Sequence, residues 1–258
     1  MKLFLYAGSI VLSIAIIIFG NFYYKGKLAS IAEESAAYSA TIVKADTEIS
    51  SETSDEDGDK EATGLLKDLM NDHEHVKITV FGSNSNILDD NSDRSWPYLV
   101  ETQLQSYQDA SEITTVVIDG ERSTSIEILN SEYHNEVIDS DPDLLLFEPF
   151  ILNDNGNIRI EDSIDALDLM LQRLTSSLPE TTIVLLPANP LPGAGFYLSQ
   201  IEALETYAKE HDYLYADHWT GWPSTDDSSL EDYIENARPN EDGHQLWADS
   251  MVEFLTAE

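Results

Sequence analysis

The chain lacks cysteine altogether, and this absence removes several kinds of chemistry. Without a thiol there is no disulfide framework, no thiolate zinc site, no cysteine nucleophile and no lipid-modified cysteine. A fold of this chain must therefore be held together by burial of apolar side chains. These make up 42% of the sequence, which is ordinary for a globular protein.

Basic residues are scarce as well. The 258 residues include 13 Lys and Arg against 49 Asp and Glu, so the formal net charge is -36. A surface this negative repels the phosphates of nucleic acids, and a nucleic-acid partner is therefore excluded. Because the acidic residues are spread along the whole chain, they indicate solvation in a saline or alkaline medium rather than one acidic functional patch.

Charged residues are absent from residues 3–24. Twenty-two helical residues span roughly 33 Å, close to the ~30 Å hydrocarbon core of a bilayer. Lysines flank this run, and the aromatic residues 22–24 end it as an interfacial aromatic belt would. We predict that residues 1–27 are an uncleaved membrane anchor with the remaining chain on the extracytoplasmic side. A signal peptide cleaved near residues 36–40 is the alternative.

Residues 28–75 are rich in Ala, Ser, Thr, Glu and Asp. This composition is typical of a disordered, self-repelling segment, and we predict an acidic stalk with at most a short amphipathic helix at residues 64–71. Residues 76–258 remain for the folded part, which is a suitable length for one domain.

After residue 75, short β-rich runs alternate with helical ones. The runs predict strands at residues 76–81, 113–118, 144–147, 182–187 and 213–216. Helices are predicted between and after them, at residues 96–108, 125–138, 160–177, 196–211 and 243–255. This alternation predicts an α/β fold, a three-layer α/β/α sandwich around a five-stranded parallel sheet. Chemistry in such folds gathers at the carboxyl ends of the strands.

Three loops at those ends carry polar residues. Gly82-Ser83-Asn84-Ser85 follows the first strand, Asn153-Asp154 lies beyond the third, and Arg238-Pro239-Asn240 leads through Gly243 to His244 at the last helix. The first loop could present a nucleophilic serine, and Asn153 could offer an amide N–H to an oxyanion. Each loop taken alone is more typical of an ordinary turn or helix cap.

In this order, and with Gly120 and Ser123 after the second strand, the loops resemble those of the SGNH/GDSL hydrolase family across residues 76–258. The resemblance implies a flavodoxin-like sandwich and hydrolysis of esters, often acetyl groups on carbohydrates or lipid esters. It also implies a serine nucleophile with a His–Asp pair, and no metal or other cofactor.

The sequence departs from that family at two positions. The family's serine lies two residues after the glycine, where this chain has Asn84, flanked by Ser83 and Ser85. Alignment on the Pro-Asn pair puts Arg238 at the family's catalytic histidine, and an arginine stays protonated and cannot accept a proton. A second alignment uses Glu241 and His244, which have the i, i+3 spacing of the acid and base, and His218 is a further candidate base.

Two hypotheses follow. In the first, the chain is an ester hydrolase acting on acyl or acetyl esters such as those of cell-surface carbohydrate, with these catalytic residues: Ser83 or Ser85 as nucleophile, His244 as base, Glu241 as its partner and Asn153 in the oxyanion hole. In the second, it is a catalytically inactive module that binds a glycan or a partner protein at the cell surface. The residues predicted to bind the ligand are Asn84, Ser123, Glu148, Asp154 and Arg238.

Overall fold

The computed structural model describes residues 63–89, 91–107 and 112–257. The predicted anchor and most of the predicted stalk lie outside the described residues. Within the part that is described, no helix is both long enough and apolar enough to cross a membrane.

A parallel sheet forms the centre of the fold. Its strands are β1 (His75–Gly82), β2 (Glu112–Asp119), β3 (Leu144–Phe147), β4 (Thr182–Leu185) and β5 (Leu214–Tyr215). They are arranged in the order β2-β1-β3-β4-β5, and every neighbouring pair is parallel. The predicted α/β fold with a five-stranded parallel sheet is confirmed.

Helices cover both faces of this sheet. In chain order they are α1 (Gly64–Asp72), α2 (Trp96–Leu104), α3 (Ser125–Leu129), α4 (Tyr133–Ser140), α5 (Ile151–Asp154), α6 (Ile160–Ser177), α7 (Gly195–Glu210) and α8 (Glu241–Thr256). A two-stranded hairpin, β6 (Ile234–Glu235) and β7 (Arg238–Pro239), precedes α8. The helix predicted at residues 125–138 is two helices, because the chain turns after Asn130, where the Ser131 hydroxyl donates to the Ile128 carbonyl at 2.7 Å.

The strands separate two apolar cores because successive side chains point to opposite faces of a sheet. In β3, Leu144 and Leu146 pack with α1, α2 and α8, whereas Leu145 and Phe147 pack with the helices of the other face. All four side chains are fully buried, as expected of a central strand covered on both sides.

The short helix predicted at residues 64–71 is present, and it packs against the folded domain. Residues 64–72 form α1, which packs against α8, with Leu66 and Leu69 buried in the same core as Leu255. The Thr63 hydroxyl also donates to the carbonyl of Thr256. The composition of this segment does not indicate that it packs on the domain, because the helix that buries its apolar side chains is at the other end of the chain.

Removal of the Leu66 side chain tests whether α1 belongs to the folded domain. Leu66 is 1% exposed, so we expect Leu66→Ala to lower the free energy of unfolding by about 2–4 kcal/mol through lost burial and a residual cavity. The measurement is urea unfolding followed by tryptophan fluorescence. Lys67→Ala, at an exposed position of the same helix, is the control and should change the midpoint little; equal midpoints for the two variants would contradict the assignment.

Candidate functional site

The strand order opens a crevice at one edge of the sheet. From β1 the chain crosses to β2 on one side, and the later strands are added on the other side, beginning with β3. Loops after β1 and β3 therefore diverge at their carboxyl ends, which is where open α/β sheets bind ligands. The loops after β1, β2 and β3 meet there, together with the β6–β7 hairpin.

The loop after β1 is a tight turn that buries its serines. A side chain at Gly82 would place Cβ 2.5 Å from the Asn86 amide nitrogen and 2.7 Å from Cβ of Glu148, so only glycine fits. Asn86 donates to the Ser83 carbonyl at 2.9 Å and accepts from the Trp96 indole at 2.9 Å. Ser83 is fully buried and Ser85 is 2% exposed.

Glu148 lies beneath this turn and is fully buried. Its carboxylate accepts the Ser83 backbone N–H at 2.6 Å and the Phe150 backbone N–H at 2.9 Å. The Ser83 hydroxyl also donates to it. Burial raises the pKa of Glu148, while these donors act in the opposite direction. Ser83 therefore directs its hydroxyl into the protein, towards Glu148, and neither residue faces the crevice.

The predicted oxyanion donors are engaged with the loop after β2. The Asn153 side-chain amide donates to the carbonyl of Ser123 at 2.9 Å and to that of Glu121 at 3.3 Å. The Ser123 N–H donates to the Gly120 carbonyl at 3.2 Å, closing a turn. Asn84 donates its own N–H to the Glu121 carbonyl at 3.0 Å. These bonds fix the walls of the crevice, and they use the N–H groups that would otherwise stabilise an oxyanion.

Asp154 faces inward from α5. One of its carboxylate oxygens accepts the Ser125 backbone N–H at 2.9 Å, and the residue is fully buried. It therefore anchors the start of α3 and does not reach the crevice.

Arg238 is delivered to the crevice by the β6–β7 hairpin. Asn236 and Ala237 connect the two strands, and both have positive φ, 53° and 64°, as both central residues of a type I′ turn do. The Arg238 guanidinium donates to the Asn84 carbonyl at 2.6 Å and also to the Ile87 carbonyl. It forms an ion pair with Asp89 at 2.7 Å, and this contact lowers the pKa of Asp89. Arg238 thus clamps the loop that follows β1.

His244 is 1% exposed and is used structurally. Its Nδ1 accepts the backbone N–H of Trp96 at 3.2 Å, so in the neutral ring the proton lies on Nε2. Nε2 is itself buried without a hydrogen-bond partner. Burial, with a smaller contribution from the nearby Arg238, lowers the pKa of His244 to about 3. No lone pair of this ring remains to take a proton from a serine.

Both ring nitrogens of His218 are engaged in hydrogen bonds within the protein. Nδ1 accepts the Trp222 indole N–H at 3.2 Å, and Nε2 lies 2.9 Å from the Pro187 carbonyl, to which it donates. The ring stacks on Trp247 with centroids 4.2 Å apart. Burial lowers the pKa of His218 to about 3. This histidine is part of the core.

Glu241 does not contact His244 as a triad acid would. It is exposed at the first position of α8 and forms an ion pair with Arg94. The helical i, i+3 spacing is present, but the carboxylate points to the surface and the imidazole to the core.

Two cavities lie side by side in the crevice. One, of about 360 Å³, is lined by Asn84, Ser85, Arg122, Leu152, Asn153, Asn155, Leu191, Asn236, Ala237 and Arg238. The other, of about 790 Å³, shares Arg122, Asn236 and Arg238 with it and is more acidic, with Asp89, Glu235 and Glu241 in its lining.

The structure thus brings together a part of the predicted site. Asn84, Ser85, Asn153 and Arg238 meet at the smaller cavity, and Glu241 lines the larger one. The other predicted residues line neither cavity: Ser83, Ser123, Glu148, Asp154 and His244. The catalytic roles assigned from the sequence stay predictions. Sequence reasoning missed Arg122, although an arginine in the loop after the second strand of so acidic a chain is a signal that could have found it.

Comparison with known proteins identifies the fold. No protein-family model matches the chain, and no curated protein matches it. Among solved structures, similar folds include a lipase/acylhydrolase from Enterococcus faecalis, at 15% identity and a TM-score of 0.54, covering 70% of this chain and 95% of that one. A carbohydrate esterase family 3 protein from Talaromyces cellulolyticus matches at 15% identity and a TM-score of 0.53, covering 70% and 96%.

A third similar structure is the psychrotrophic esterase EstA from Pseudoalteromonas sp., at 14% identity and a TM-score of 0.54, covering 69% of this chain and 94% of that one. The chain therefore has the fold of the GDSL/SGNH hydrolases. At these identities the likeness shows the fold, and function has to be argued from the residues at the site.

The buried histidines predict a pH dependence of stability. A pKa near 3 in the folded state and about 6.5 in the unfolded state means that unfolding takes up protons below pH 6.5, so acid destabilises the fold. Each histidine should lower the free energy of unfolding by about 2 kcal/mol between pH 7 and pH 5. Urea unfolding at pH 5, 6 and 7 measures this slope.

His218→Phe keeps an aromatic ring in the stack and removes the titration, so its slope should be smaller by one histidine's share. His75→Gln, at an exposed position, is the control and should keep the slope of the unchanged chain. If His218→Phe keeps that slope too, the assignment of a neutral buried ring fails.

Proposed function

We propose that this protein is a catalytically inactive module of SGNH fold that binds a glycan in the crevice at the carboxyl ends of β1, β2 and β3. The observation that carries the proposal is the burial and hydrogen bonding of His218 and His244. A serine hydrolase needs a base with a free lone pair beside its hydroxyl. His218 and His244 have both ring nitrogens committed or facing the core.

The other histidines of the chain lie away from the crevice. His73 and His75 precede or begin β1, and His211 follows α7 before β5, so these three are at the amino-terminal edge of the sheet. His134, on α4, lines a separate surface hollow. Within the described part of the chain, no carboxylate lines the smaller cavity to act in place of a histidine, and Arg238, which does line it, stays protonated.

Ligand binding fits what the crevice does contain. Polar amides, two arginines and the apolar side chains of Leu152 and Leu191 line a cavity of about 360 Å³, within the usual size of small-molecule sites. The amides of Asn84, Asn155 and Asn236 make no side-chain hydrogen bonds within the described residues, so they are available to hydroxyl groups of a sugar.

An esterase acting on acyl or acetyl esters, such as those of surface carbohydrate, is the second candidate. Two observations favour it: Ser85 lines the same cavity as Asn153, and the similar solved structures include esterases. A fluorophosphonate probe separates the two candidates. We expect intact mass of the full chain to show no adduct under conditions that label a control esterase, since no base activates a serine. An adduct lost in Ser85→Ala would establish the esterase instead.

Glycan binding is tested directly by a glycan array with the full-length chain. We expect binding that Asn84→Ala weakens about tenfold or more, because this amide faces the cavity. Asn135→Ala, at an exposed position on α4 that lines a separate surface hollow, is the matched control and should bind as the unchanged chain does. Equal binding by both variants would place the glycan outside the crevice.

The proposal includes a location at the cell surface, with the module tethered by residues 1–27. The uncharged run at residues 3–24 and its lysine flanks support this. We expect the chain to remain with the membrane fraction after extraction at alkaline pH, and a chain lacking residues 1–27 to be released. Protease added to intact cells should remove the domain; protection of the domain would contradict the extracytoplasmic orientation.

A further inference from the structure

The distribution of arginine in this chain is uneven. There are five, at positions 94, 122, 159, 173 and 238, in a sequence whose net charge is -36. Two of them, Arg122 and Arg238, line the same cavity of about 360 Å³ and also the cavity beside it. In a chain with so few basic residues, two arginines on the lining of one small cavity are an unexpected concentration of positive charge.

Among the residues that the structure describes, which do not include Asp90, the lining of the smaller cavity also contains no carboxylate. Since 49 of the 258 residues are acidic, a random set of ten residues would include about two, and the ten that line this cavity include none. The cavity thus combines positive charge with neutral amides, in contrast to the more acidic cavity beside it, which contains Asp89, Glu235 and Glu241.

The two guanidinium groups differ in exposure and in the contacts that they make. Arg238 is 17% exposed and is held by Asp89 and by the carbonyls of Asn84 and Ile87, so it contributes a fixed charge. Arg122 is exposed and makes no hydrogen bond or close ion pair within the described residues, although its charge also acts on the Asp89 carboxylate, which is paired with Arg238. A planar guanidinium of this kind binds carboxylate, sulfate or phosphate oxygens through two parallel N–H donors.

We propose that the ligand of the crevice is an acidic saccharide, a sugar unit that carries a carboxylate or sulfate group, and that Arg122 binds this anionic group. The inference rests on the proposed glycan-binding function and narrows it to one ligand class. Arg122 binds the anionic group, and Arg238 adds electrostatic attraction from the cavity wall. The sugar hydroxyls would lie beside three side-chain amides, those of Asn84, Asn155 and Asn236.

The test compares D-glucuronate, D-glucose 6-sulfate and D-glucose, which share one ring and differ in charge. Titration of the full-length chain, followed by NMR of the ligand, should show both acidic sugars binding about tenfold more tightly than glucose. This difference should shrink as NaCl is raised from low to high concentration. Preference for only one of the acidic sugars identifies which anionic group the site takes.

Arg122→Gln should reduce the affinity for the acidic sugars about tenfold, to the level of glucose. Arg122→Lys keeps the charge without the planar guanidinium. Its affinity for the acidic sugars should lie between that of the unchanged chain and that of Arg122→Gln. Arg159→Gln is the matched control, because Arg159 is an exposed arginine immediately before α6 and is paired with Asp162. It should bind all three sugars as the unchanged chain does.

Two results overturn the inference, and they are distinguishable from failure of the proposed function. If glucose binds as tightly as the acidic sugars, or if Arg122→Gln binds the acidic sugars normally, the crevice binds glycans but Arg122 does not select acidic ones. If none of the three sugars binds and the glycan array is also blank, the glycan-binding function itself is wrong.

Discussion

The buried carboxylate of Glu148 is the interaction on which the crevice depends. An ionised group without solvent is strongly disfavoured unless hydrogen bonds replace its hydration. Here Ser83 supplies a backbone N–H and a hydroxyl, and Phe150 supplies a second backbone N–H. These residues belong to loops that diverge from β1 and β3, so one side chain holds the two sides of the switch point together. The same bonds direct the first serine of the loop away from any substrate.

Backbone strain is concentrated around the same loops. Non-glycine residues with positive φ include Glu121 in the loop after β2, Phe150 before α5, and both turn residues of the β6–β7 hairpin. Such conformations persist only where the surrounding structure determines them, and they occur often at binding sites. Phe150 is fully buried against Phe81 and Phe147, which accounts for how its strain is held. A crevice fixed in this way loses little conformational freedom when a ligand enters.

The sequence was sufficient for the sheet, because runs such as 144–147 are apolar throughout and alternate with helical periods. It was also sufficient to locate Asn84, Asn153 and Arg238 at one edge of that sheet. It could not show the direction of a side chain. Ser83, His244 and Glu148 occupy plausible positions along the chain, but each points inward because of partners distant in sequence. The docking of α1 escaped prediction for the same reason, since its apolar stripe meets α8 at the opposite terminus.

The contacts of Arg238 also limit which residues can replace it. The guanidinium satisfies the carbonyls of Asn84 and Ile87 and neutralises Asp89. A histidine at this position is too short to reproduce those three contacts, so its introduction would leave main-chain acceptors unpaired and release the loop that carries position 84. Serine at position 84 and histidine at position 238 would therefore arrive in a loop that no longer has its conformation. Exchange of these two residues alone would therefore not place a serine and a histidine in the present geometry of the crevice.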